Sequence, residues 1–139
     1  MLEDAPMTEQ DALVAIMIAV SASDENIRTS ELVKMSNVIN NLPVFAGYEP
    51  ERVPLISQKV FELLEPEDGL ETLFGLIRKA LPERLFETAY ALSCDVAAAD
   101  GMIMGPEARM LEEVRDELRI DRLHAAAIER GARARHMTL

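Results

Sequence analysis

Apolar residues recur along most of the chain at three- and four-residue intervals, the period of a helix with one buried face. Leu13, Ile16, Met17 and Val20 form the first stripe, behind Thr8 as a candidate N-cap. Leu32, Met35, Ile39 and Leu42 form the second, which Pro43 stops. Val53, Ile56, Val60 and Leu63 form the third; Pro54 is tolerated there only in the first turn, so this helix starts near Val53. A fourth stripe, Leu70, Leu73, Phe74, Ile77 and Leu81, follows the turn Glu67-Asp68-Gly69. Pro82 can open a fifth helix that turns Leu85, Ala89, Leu92 and Val96 inward. The sixth begins at Pro106 with Leu111, Val114 and Leu118, and the seventh, capped by Asp121, runs from Arg122 towards Gly131. No stretch alternates apolar and polar residues as a strand does, and the connections are short. The pattern predicts an all-α fold, a single compact domain of about seven helices spanning residues 8–130. A flexible segment, 1–7, precedes it, and a short basic tail, 131–139, with Arg133 and Arg135, follows.

Two parts of this pattern are alike. A shift of 76 residues aligns 15–42 with 91–118 without a gap, and eight of the 28 pairs are identical. Ala, Val and Leu matches are expected of any helical composition. The polar matches are more telling: Asp24/Asp100, Ile27/Ile103 and Glu31/Glu107 keep the same spacing in both copies. The chain therefore holds two pseudo-repeated helix–loop–helix units. In each, small residues (Ser21-Ala22-Ser23, Ala97-Ala98-Ala99) end the first helix and let another segment come close. Gly101 suits a left-handed turn after a helix end, a place Asn26 can fill in the first loop. Ile27 and Ile103 are expected to plug inward, and Glu31 and Glu107 fall in the first turn of the next helix, where the helix dipole favours a carboxylate.

Composition narrows the function. The net charge is −11, so phosphate backbones are repelled and nucleic acid is not an expected ligand, whereas cations or a basic partner are attracted. The longest apolar run, Ala12–Val20, has nine residues against the ~20 a membrane-spanning helix needs. Acidic residues flank it (Glu3, Asp4, Glu9, Asp11), unlike the basic start of a signal peptide. The single cysteine, Cys94, rules out an intramolecular disulfide and fits a reducing compartment; the expected location is the cytoplasm. No phosphate-binding glycine loop, nucleophile elbow or paired cysteines occur. His124 and His136 are too few and too poorly placed for a zinc site, and Cys94, Tyr48 and Tyr90 read as packing residues. The protein is not expected to be an enzyme.

The chemistry that remains is carboxylate. Asp24 with Glu31, and Asp100 with Glu107, give each loop two hard oxygen ligands suited to a divalent cation such as Ca²⁺. The spacing does not match an EF-hand, and the second loop offers Met102 and Met104 where its alternate oxygen ligands are wanted. A site shared between the loops is the better arrangement, provided the fold joins them and a cation or arginine offsets the repulsion of four carboxylates. Against this stands a structural reading, in which the Asp residues end helices and the Glu residues satisfy the dipole.

The doubled D-x-x-I-x-x-x-E after small residues, nearest in the stretch AAADGMIMGPE, resembles the signature of the TerB tellurite-resistance family. Glu25 and Asn26 depart from it, standing where a glycine-bearing loop is the pattern. The resemblance implies a helical domain with pseudo-symmetric halves. Asp24, Glu31, Asp100 and Glu107 are the positions with a counterpart in its metal-binding acidic clusters. It further implies a bacterial stress response and partner proteins near the inner membrane. TerB-like domains of membrane-anchored DnaJ-like co-chaperones imply the alternative: a protein-interaction scaffold whose loop acids are structural.

Overall fold

The first helix, α1 (Glu9–Ser21), starts at a capping box. The Thr8 hydroxyl accepts the Asp11 N–H at 3.0 Å and the Asp11 carboxylate accepts the Thr8 N–H at 3.2 Å, so two end-of-helix donors are satisfied at once. From Ala12 to Val20 no residue is more than 2% exposed. Sequence periodicity assigns this helix one inward face; its whole circumference is buried instead. The reason lies in its neighbours, since α3, α4, α5, α6 and α2 all pack against it.

In this computed structural model, residues 6–139 are described apart from 25, 26, 100, 102 and 104. Among them are seven α-helices and no strand. α2 spans Thr29–Asn41, α3 Arg52–Leu64, α4 Gly69–Ala80, α5 Phe86–Ala97, α6 Gly105–Glu117 and α7 Arg122–Arg135. Short 3₁₀ turns at Ala22–Asp24, Pro43–Phe45 and Glu83–Leu85 complete the chain path. α1 and α5, the first helices of the two repeats, are the central pair. α2 crosses onto α5, and α6 crosses onto α1 and onto the turn Ala22–Asp24, so each repeat covers the other.

The α3–α4 hairpin closes one side of α1, and α7 lies along α5. Asp11, 1% exposed, ties α1 to α3: Arg52 donates Nε–H and Nη2–H to its two oxygens at 3.0 and 2.6 Å, and the Tyr48 hydroxyl donates at 3.1 Å. α7 is held to α5 by Arg135 on Asp95 at 2.6 Å and by the Tyr90 hydroxyl on Glu129 at 2.6 Å. The expected Asp121 cap is present, its carboxylate accepting the N–H groups of Leu123 and His124.

Four local expectations are corrected. In α2 the buried residues are Glu31, Met35, Val38 and Ile39, while Leu32 and Leu42 are 52% and 39% exposed. The helix is rotated so that Glu31 faces inward, which carries Leu32 out, and Leu42 leaves the stripe in extended backbone after the last turn. Pro82 does not open α5; it is extended and leads a separate 3₁₀ turn, so the helix starts at Phe86. α7 passes Gly131 and ends at Arg135, with His136 as its C-cap. Ile103 is no inward plug: it is 46% exposed, at the rim of a cavity of about 450 Å³ between α5, α6 and α7.

Candidate metal centre

Glu31 and Glu107 are the third residues of α2 and α6. Both helices begin where a loop leaves the small-residue end of a central helix, and both turn this third position towards the core. The glutamates are 1% and 0% exposed, among the most deeply buried side chains of the protein. Helix-dipole stabilisation alone, worth about 0.3–1 kcal/mol at exposed positions, does not account for burying a carboxylate; that requires a partner of opposite charge.

Arg28, which stands just ahead of α2, is such a partner. Its Nε lies 4.0 Å from Glu31 Oε1, and its Nη1 lies 3.8 Å from Glu107 Oε1. One guanidinium thus faces both carboxylates, one from each repeat. At about 4 Å and an effective dielectric of about 20, each pair is attracted by roughly 4 kcal/mol before the cost of desolvation is counted. The Arg28 carbonyl accepts the N–H groups of Glu31 and Leu32, both at 3.1 Å, so its backbone is anchored in the helix start while its side chain stays 28% exposed.

The fold therefore brings together two of the four residues singled out by spacing. The backbone of Asp24 closes the turn Ala22–Asp24, which packs on α6. The side chain of Asp24 lies outside the described residues, as do Asp100, Glu25, Asn26, Met102 and Met104. Gly101 has the expected left-handed backbone, with φ +84°. At the head of the first loop Ser21 is wholly buried, and its hydroxyl has no hydrogen-bond partner among the described residues. The two buried carboxylates offer hard oxygen donors, which suit a hard divalent cation better than a soft metal; among the described residues no group of three or more His, Cys, Asp or Glu side chains is placed to hold a metal ion.

Arg28 was invisible to the repeat argument, although the repeat held a clue. A 76-residue shift places Met104 opposite it, so the acids are duplicated and the base is not.

Other reactive groups stand apart from this centre. Cys94 is buried in α5, and burial pushes its thiol up to about 12, leaving little thiolate for chemistry near neutrality. His124 is on the surface of α7, where a hydrogen bond with Glu87 at 3.0 Å and the charge of that carboxylate raise its pKa.

The chain matches the family model of tellurite resistance protein TerB over residues 10–130. It belongs to the TerB family. No curated protein and no solved structure matches it. The matched span runs from the first turn of α1 into α7 and contains both loops of this TerB domain. Among the described residues no helix is long and apolar enough to cross a membrane.

Proposed function

We propose that this TerB domain is a non-catalytic, cytoplasmic binding module that takes one divalent cation, Ca²⁺ or an ion like it, between its two loops. Glu31 and Glu107 are the buried ligands; Asp24 and Asp100, from the matching loop positions, complete the acidic set. The cation supplies positive charge to carboxylates drawn from both repeats, so binding draws the two halves together. The setting is a bacterial stress response of the tellurite-resistance type, with partner proteins at the inner membrane. The observation that carries this reading is the convergence of two equivalent glutamates, both buried and both facing the Arg28 guanidinium.

Ligand binding to the folded state alone stabilises by about 2.7 kcal/mol at a hundredfold excess over the dissociation constant, which raises a melting temperature by several degrees. Millimolar CaCl₂ or MnCl₂ is expected to produce such a rise in the wild type, and the double variant Asp100→Ala/Glu107→Ala to abolish it. A wild type indifferent to Ca²⁺, Mg²⁺ and Mn²⁺ alike would sink the reading.

A second reading is favoured by Arg28 itself, whose charge already offsets part of that of the buried acids. In it the domain is a scaffold for protein partners, offering the exposed Leu32 and Val33 of α2. This reading expects the same titration to leave the melting temperature unchanged.

A further inference from the structure

We infer that Arg28 is the resident counter-cation of the two-loop site, and that a divalent ion binds there only by displacing its guanidinium. The inference rests on the cation reading above and adds what governs access to the site. Glu31 Oε1 and Glu107 Oε1 face the guanidinium at 4.0 and 3.8 Å. A divalent ion needs oxygen ligands at about 2.3–2.6 Å, so an ion shared by those two carboxylates stands where Arg28 now stands. Two cations cannot occupy one poorly hydrated spot without strong repulsion. The Arg28 backbone is fixed by its carbonyl bonds to the first turn of α2, and its long side chain, already 28% exposed, can swing to solvent without undoing the helix.

Two consequences follow from the competition. Without any metal, the charge of Arg28 offsets part of the repulsion between the two buried glutamates, so an ion that displaces it must supply more than the guanidinium does. The apparent affinity for the ion is reduced by the fraction of time Arg28 leaves the site; occupancy of about nine-tenths weakens binding roughly tenfold. That the repeat carries Arg28 in the first loop and Met104 in the second accords with one internal cation serving both glutamates.

Calorimetric titration of CaCl₂ and MnCl₂ into metal-free wild type, Arg28→Gln and Arg28→Lys tests this. Expected is binding roughly tenfold tighter, or more, in Arg28→Gln, with Arg28→Lys between it and the wild type; binding seen only in Arg28→Gln supports the inference equally. A wild type that binds while Arg28→Gln binds no more tightly overturns the role of Arg28 and leaves the cation reading standing. Binding by none of the three overturns both. Should Arg28→Gln not fold, Arg28→Lys must still bind more tightly than the wild type. In the wild type itself, solvent exchange of the Arg28 Nε–H, followed by NMR, must quicken severalfold at saturating CaCl₂. Unaltered exchange in the ion-bound protein contradicts displacement.

Discussion

Asp11 shows how an acid becomes a structural asset inside an apolar helix. Burial alone pushes its pKa up, but hydrogen bonds from Arg52 and from the Thr8 backbone and hydroxyl, together with the Arg52 charge, outweigh burial and hold it below the usual value. A depressed carboxylate contributes stability above the unfolded pKa, about 3.9, and loses that contribution as pH falls through the folded value. Urea unfolding at pH 7 is therefore expected to find Asp11→Asn less stable by about 3 kcal/mol, as for a buried pair that loses one member. The gap between variant and wild type should narrow as the pH approaches 3; an equal deficit at both pH values would contradict the account. Thr8 was legible in the sequence because a cap and its helix are neighbours. The Asp11–Arg52 and Arg28–Glu107 pairs were not, since their members lie far apart in sequence and no local pattern joins them.

Helix existence was legible at the level of elements because six apolar stripes carry the helical period and the Asp121 cap marks the seventh helix. Phase and ends were less so. In α2 the true buried stripe begins with a charged residue, Glu31, which a search for apolar positions passes over in favour of Leu32. The start of α5 was displaced because a proline can lead either an α-helix or a 3₁₀ turn. The α3–α4 connection turned on a residue whose role is steric. A Cβ on Gly69 would lie 2.3 Å from the Leu63 carbonyl oxygen and 2.7 Å from Leu64 Cα, both backbone atoms with no easy escape. Helix propensity alone would have Gly69→Ala gain up to about 1 kcal/mol. Overpacking costs typically about 1–3 kcal/mol, and a clash with fixed backbone lies at its upper end. Net destabilisation is expected in thermal melts. Gly75→Ala, in the middle of α4 with nothing within 4 Å of the added carbon, is the control and should be neutral or stabilising. Equal melting temperatures for the two variants would refute the close-approach argument.

For the molecule as a whole, the 76-residue repeat was the most informative sequence feature, because it predicted two like units before any contact was known. It could not reveal that the units cross-pack, α2 on α5 and α6 on α1, and so bring their glutamates to one place. Which helices become neighbours is settled by the entire set of buried faces, not by either repeat alone. Joined to the proposed cation reading, the cross-packing makes a strong claim about stoichiometry: one shared ion instead of one per loop. Anomalous diffraction from crystals soaked in MnCl₂ tests that claim most directly. A single peak between Glu31 and Glu107, with the Arg28 side chain turned to solvent, is the predicted result. Two separate peaks, one in each loop, or no peak beside either glutamate, would contradict it.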